Sequence, residues 1–153
     1  IPNKSIALPV DENWYYVAAF PGFSLNTAKA RSVLPKELSM HAGVEFAQRL
    51  SAFSSLLLMH RFDDALSIMQ DHIAEPYRAP LITGFSEAKA SLPALGAEIV
   101  SISGAGPTLF TVCKTLKAAQ HCAQWLESNY INEQGFCHIC KLDNDGTRQL
   151  TVL

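Results

Sequence analysis

The feature that most constrains the fold of this chain is Ser103-Gly104-Ala105-Gly106-Pro107-Thr108, a run of small residues set between two apolar stretches, 99–102 and 109–112. Two short apolar runs separated by glycine and proline predict strand, exposed turn, strand. Glycines at 104 and 106 can take positive φ and let a ligand approach closely, which backbone N–H groups need if they are to line a phosphate. The two commoner phosphate loops do not fit. Position 109 is leucine where a dinucleotide fingerprint has its third glycine, and no Gly-Lys-Ser/Thr follows to make a Walker loop. Both of those motifs also open a helix, whereas the residues after this turn are β-like. A plain tight hairpin uses the same residue types, so the turn alone does not decide between phosphate wall and simple connection.

The rest of the chain supplies helices around this hairpin. Tyr15 to Phe20 reads as a strand closed by Pro21-Gly22, and Asn26 is suited to cap a short helix that Pro35 ends. Ser39 caps the next. There Val44, Ala47, Leu50, Ser54 and Leu57 recur at helical spacing, and Phe46, Phe53 and Leu56 widen the apolar face, predicting a long, largely buried helix. A further helix runs from Phe62 to about His72, with Asp63 and Asp64 at its positive end and Leu66, Met69 and Ile73 as its stripe. Pro76 interrupts the pattern, so Tyr77 and Arg78 belong to a turn or a fresh short helix. Helix is expected again over 86–95, with Gly96 as its C-cap, and Ala119, Cys122, Ala123, Leu126 and Tyr130 trace one face of a last helix. Strands at 136–142 and 148–152, joined by Asp143-Asn144-Asp145-Gly146, complete the order. Hairpins joined by helices predict an antiparallel α+β two-layer sandwich with helices on one face of the sheet.

Composition narrows the function classes. The 153 residues suit a single domain spanning 1–153, and at this length roughly two-thirds of the extended chain's surface can be buried. Hydrophobic residues make up 48% and charged residues 17%, with a net charge of −2, so there is no electrostatic case for nucleic acid or an anionic membrane. No apolar run spans a bilayer and no signal peptide is visible, which gives the expectation of a soluble, cytoplasmic protein. Cys137 and Cys140 form a Cys-x-x-Cys pair, but on a strand an offset of three sends the side chains to opposite faces, and no second pair completes a metal site. No metal is expected on this chain. Cys113 and Cys122 read as packed small hydrophobes, and the scattered histidines at 41, 60, 72, 121 and 138 carry no catalytic signature.

Three positions stand out as binding candidates. Thr27 and Arg31 lie four apart on the first short helix and share a face, with Thr27 in a first turn whose N–H groups are unpaired. On the residues alone, Arg31 reads first as an exposed cation on a solvated helix. Arg78 is aimed by the Glu75-Pro76-Tyr77 turn, or else forms an ordinary surface pair with Glu75.

The 103–108 turn resembles the third conserved motif of the kinase superfamily of galactokinase, homoserine kinase, mevalonate kinase and phosphomevalonate kinase. Two more stretches, Ala19-Phe20-Pro21-Gly22 through Thr27-Ala28-Lys29-Ala30-Arg31 and Ile73-Ala74-Glu75-Pro76-Tyr77-Arg78, resemble homoserine kinase in the same order. The resemblance is to its C-terminal half, and it implies a ferredoxin-like arrangement. It also implies that Thr27, Arg31 and Arg78 line the substrate pocket, the two arginines holding the carboxylate of an amino-acid alcohol as planar guanidinium forks do. Ser103, Gly104, Ala105, Gly106 and Thr108 would border the active site.

The family's phosphate-binding loop, a Pro-x-x-x-Gly-Leu-Gly-Ser-Ser-Ala-type segment, is not found in 1–153, and the chain begins Ile1-Pro2-Asn3. The chain is therefore expected to be the C-terminal half of a two-domain small-molecule kinase, with the N-terminal ATP-binding domain absent and the fragment inactive alone. ATP and Mg²⁺ would be bound mainly by that other domain. The implied reaction is transfer of the ATP γ-phosphoryl to the side-chain hydroxyl of L-homoserine in threonine biosynthesis. L-homoserine, the N-terminal domain and a second copy in a homodimer are the implied partners. A free-standing amino-acid-binding regulatory module and another kinase of the superfamily are the alternatives.

Overall fold

The computed structural model describes residues 5–146 and Gln149. A four-stranded sheet has the order β2-β3-β1-β4, built from β1 (Tyr15–Phe20), β2 (Ala97–Ile102), β3 (Leu109–Cys113) and β4 (Phe136–Cys140). Every neighbouring pair is antiparallel. The helices are α1 (Thr27–Ser32), α2 (Met40–Leu58), α3 (Phe62–Ile68), α4 (Glu75–Arg78), α5 (Phe85–Ser91) and α6 (Leu116–Asn129). This is the antiparallel α+β sandwich of ferredoxin-like order, with β1 and β3 side by side at the centre and the β2–β3 hairpin at one side.

Strand alternation decides what is buried. Val17 and Ala19 of β1, Leu109 and Cys113 of β3, and Ala97 and Val100 of β2 face the main core. There they meet Phe85, Ala88 and Leu92 from the α5 side and Ala119, Cys122, Ala123 and Leu126 of α6, the residues whose helical spacing marks that face. The odd-numbered β1 positions pack on this side, and Trp14 and Tyr16 fall on the other. On that second face a smaller cluster of Trp14, Leu57, Ala65, Leu66 and Val112 seats α3 and the end of α2. The sheet thus carries its main helical layer on one face and an additional α2–α3 patch on the other.

Capping follows the sequence closely. The Asn26 side chain accepts from the Ala28 and Lys29 N–H groups, Ser39 accepts from Ala42, and Thr115 accepts from Ala118. Gly96 takes φ +98° after a 3₁₀ turn at Leu92–Leu95 that extends α5, so the expected 86–95 helix is real but changes type at Leu92.

Three expectations need correction. The long helix α2 is not largely buried: Leu57 is its one buried residue, whereas Met40 is 84% exposed, Leu50 54%, and Val44, Phe46 and Leu58 are also exposed. Apolar spacing marks a face able to be buried, and only the C-terminal end of that face reaches α3 and the sheet. The helix beginning at Phe62 stops at Ile68, because the Asp71 carboxylate captures the N–H groups of Ile73 and Ala74 at 2.8 and 2.7 Å and that of Glu75 at 3.1 Å, starting α4 instead. The strand expected from 136 ends at Cys140 rather than Leu142. The returning strand at 148–152 lies outside the described residues.

Cys137 packs against the main core and Cys140 is exposed, on opposite faces of β4 as the offset of three requires. Burial pushes the Cys137 thiol up to about 11, with Glu127 and Cys140 adding to the shift. The Cys113 and Cys122 sulfurs lie 3.8 Å apart within the core as free thiols. Among the described residues no helix is long and apolar enough to cross a membrane.

Leu126 is 1% exposed at the centre of the α6–sheet contact and Leu116 is 46% exposed at its start. Urea unfolding should show Leu126→Ala losing about 3 kcal/mol and Leu116→Ala less than about 0.5 kcal/mol. Equal losses would mean that α6 is not held by this face.

Candidate functional site

The three stretches singled out by sequence meet at one side chain. Arg78, the last residue of α4, donates from Nε to the Ala30 carbonyl at 3.2 Å and from Nη1 to the Gly104 carbonyl at 2.9 Å. Ala30 lies on α1 immediately before Arg31, and Gly104 is the first glycine of the β2–β3 turn. One guanidinium therefore joins α1, α4 and the turn. These two bonds use two of its five N–H groups, leaving three, both on Nη2 among them, for another acceptor. The expected alternative of an Arg78–Glu75 ion pair does not occur.

Glu75 is instead 6% exposed and is held by Lys89 and Ser101. Lys89 Nζ forms an ion pair with Oε1, and the Ser101 hydroxyl donates to Oε2 at 3.0 Å. Desolvation lowers the Lys89 pKa, with Asp71 opposing that shift. Sequence reasoning missed this arrangement, since a Glu before a Pro-Tyr-Arg turn looks like surface. The one available signal was Asp71, an Asx-type residue placed to start a turn at 73–75.

Thr27 and Arg31 are both exposed on α1. The N–H groups expected to be open beside Thr27 are not, because the Asn26 cap occupies those of Ala28 and Lys29 at 2.8 and 3.1 Å. A ligand on this face would meet the Thr27 hydroxyl and the Arg31 guanidinium rather than the helix terminus. The Arg31 guanidinium has no hydrogen-bond or ion-pair partner among the described residues, while its backbone carbonyl accepts from the Leu34 N–H at 3.1 Å.

The glycine turn is fixed at its carbonyls and open at two of its amides. Ser103 N donates to Thr108 O at 2.8 Å and Gly106 N to Ser103 O at 3.0 Å, closing the hairpin, while the Tyr130 hydroxyl at the end of α6 donates to Pro107 O. Burial raises the Tyr130 pKa, which keeps that phenol a donor. The Gly106–Pro107 peptide is cis. The N–H groups of Gly104 and Ala105 have no partner among the described residues, which leaves two successive donors for an anion. Gly104 has φ +61° with open space where a Cβ would stand. Gly106 has φ +83°, and a Cβ there would lie 2.6 Å from Ile82 Cδ1 and 3.2 Å from Ile102 Cγ2. Gly104 thus keeps an approach open, and Gly106 keeps the turn against the core. Among the described residues no cluster of three or more His, Cys, Asp or Glu could hold a metal ion.

Residues 50–132 match the family described as GHMP kinases C terminal. The chain belongs to this family. Its structure is similar to that of homoserine kinase from Cytophaga hutchinsonii ATCC 33406, with a TM-score of 0.82 and 32% identity over 90% of this chain and 44% of that one. Mevalonate kinase from methicillin-resistant Staphylococcus aureus MRSA252 shares the fold at TM-score 0.52 and 12% identity, over 86% of this chain and 42% of that one. So does a 4-(cytidine 5'-diphospho)-2C-methyl-D-erythritol kinase at TM-score 0.55 and 17% identity, over 92% of this chain and 46% of that one. The chain spans less than half the length of each of these three proteins. It is a GHMP kinase C-terminal domain, and the turn and Arg78 are features of that domain's fold in this chain.

The two glycines of the turn should separate by stability. In denaturant titrations Gly104→Ala should cost about 1 kcal/mol, the strain of a left-handed L-residue. Gly106→Ala should cost at least about 1 kcal/mol more, because Ile82 must also move. Equal costs would mean that Gly106 is not pressed against Ile82.

Proposed function

We propose that this chain is the substrate-orienting half of an ATP-dependent homoserine kinase. The observation that carries the reading is the Arg78 junction, which gathers the α1 arginine helix and the glycine turn around one guanidinium with three N–H groups to spare. The 32% identity with the Cytophaga homoserine kinase over 90% of the chain supports the choice of acceptor. In this reading Arg31 and the free side of Arg78 converge on the carboxylate of L-homoserine, and the Thr27 hydroxyl adds a hydrogen bond. Two cations on one carboxylate favour an amino-acid alcohol over a sugar or an uncharged alcohol.

GHMP kinases use ATP. The partnerless N–H groups of Gly104 and Ala105 fit a phosphate oxygen, and this chain would supply that much of the nucleotide contact. No residue here is assigned to Mg²⁺, since the described residues gather no carboxylate cluster for it. Both groups would be held mainly by the portion of the protein matching the remainder of the homoserine kinase relative, and Mg²⁺ when bound supplies charge neutralisation on the transferring phosphoryl group.

The reaction forms a bond from the homoserine side-chain oxygen to the γ-phosphorus as the bond from that phosphorus to the bridging oxygen breaks. ADP leaves with the electron pair and the hydroxyl proton passes to solvent, giving O-phospho-L-homoserine. The role of this chain is alignment: fixing the carboxylate fixes where the hydroxyl sits, and alignment is most of what phosphoryl transfer asks of a protein.

In the full-length protein, Arg31→Ala should raise the homoserine KM about thirtyfold, the loss of roughly 2 kcal/mol expected for a charged hydrogen bond. The ATP KM and the melting temperature should not change. Arg78→Ala should do the same to homoserine and also lower the melting temperature, because the Ala30 and Gly104 carbonyls lose their donor. Wild-type homoserine kinetics in both variants would remove the substrate site. Equal turnover of acceptors lacking a carboxylate would indicate another kinase of the superfamily.

A further inference from the structure

We infer that Glu75 is a positioning residue that sets the direction of Arg78. The inference deepens the site just proposed and rests on that reading for its catalytic consequence. Helix α4 is a single turn of four residues, Glu75–Arg78, and so short a segment has no helical stability of its own. Its orientation must come from side-chain ties. Two of these run to the same neighbour in matching register: Glu75 to Ser101 near the end of β2, and Arg78 to Gly104 in the turn that follows. Three residues along α4 correspond to three residues along the strand and turn, so α4 is clasped at both ends.

The two ends of the clasp differ. At the Arg78 end the guanidinium is half-buried and keeps N–H groups free. At the other end Glu75 is 6% exposed and both its carboxylate oxygens are engaged, Oε1 by Lys89 of α5 and Oε2 by Ser101. The Asp71 carboxylate, taking three successive N–H groups from 73 to 75, fixes the backbone into the same turn. A buried carboxylate with partners on two other elements is the anchored end, because releasing it would strand a charge in the protein interior. Arg78 then points where Glu75 lets α4 point. With both oxygens engaged by Lys89 and Ser101, Glu75 is assigned a role through Arg78 and not a contact with the ligand.

The test reads Arg78 first without any substrate. In the full-length protein, the Arg78 Nε proton, bonded to the Ala30 carbonyl, should exchange with solvent at least tenfold faster in Glu75→Gln and in Ser101→Ala than in the parent. The Trp14 indole proton, in the second cluster, should keep its rate. Ser101→Ala removes a hydrogen bond without leaving a new charge unpaired, so it serves if Glu75→Gln does not fold. Unchanged Arg78 exchange in a folded variant of either kind overturns the inference.

The second readout is kinetic. Glu75→Gln should raise the homoserine KM about fivefold with the ATP KM unchanged, and should raise it no further when introduced into Arg78→Ala. A full additional increase in the Arg78→Ala background would mean that Glu75 acts independently of Arg78, which also overturns the inference. Faster Arg78 exchange with an unaltered homoserine KM in both Arg78→Ala and Glu75→Gln would leave the positioning intact and remove the homoserine reading instead.

Discussion

The geometry of the candidate site depends on one guanidinium donating to two backbone carbonyls. Neither the short helix α1 nor the turn at 103–108 is fixed relative to the other by the sheet alone, since α1 follows β1 through a loop and the turn projects beyond β2 and β3. A planar fork bonded to Ala30 O and Gly104 O sets both at once. Lysine could not replace it without losing that fixed angle between donors. The same bonds consume part of Arg78's capacity, so it is both a structural brace and a ligand-binding candidate, while Arg31 is the freer cation.

Around this brace the fold distributes its constraints unevenly. The Tyr130 hydroxyl and the Ile82 side chain press the Pro107–Gly106 side of the turn onto the main core. On the Gly104–Ala105 side Arg78 holds the Gly104 carbonyl, and the two amides have no partner among the described residues. A turn rigid on one side and open on the other suits a wall that a ligand approaches, because the donors are already oriented before anything binds. The unusual backbone at Gly104 and Gly106 thus serves two purposes, access at the first and close packing at the second.

The parts legible from the sequence were those fixed by local chemistry. Asn26, Ser39 and Gly96 cap helices where the residue types said they would, and the apolar stripe of α6 from Ala119 to Tyr130 is the buried one. The hairpin around 103–108 formed because small residues and proline between two apolar runs leave few other options. What escaped the sequence depends on distant partners. The stripe on α2 predicted burial that its N-terminal half does not find, since spacing describes a helix and not its neighbours. A surface pair between Glu75 and Arg78 was the alternative to a binding role, yet Lys89 and Ser101 take Glu75, and that choice is made by how α5 and β2 converge. The N–H groups beside Thr27 looked open, but the side chain of Asn26, identified as the cap, closes them. The family resemblance pointed to three segments, and the Arg78 guanidinium is what joins them in the fold.

A crystal structure of the full-length protein with L-homoserine bound would decide whether Arg31 and Arg78 share one carboxylate. One carboxylate is expected between Arg31 and Arg78, with guanidinium-to-oxygen distances of about 2.7–2.9 Å and Arg78 still bonded to the Ala30 and Gly104 carbonyls. A carboxylate bound elsewhere, with Arg31 in solvent and Arg78 bonded only to those two carbonyls, would contradict that expectation and leave Arg78 a brace alone.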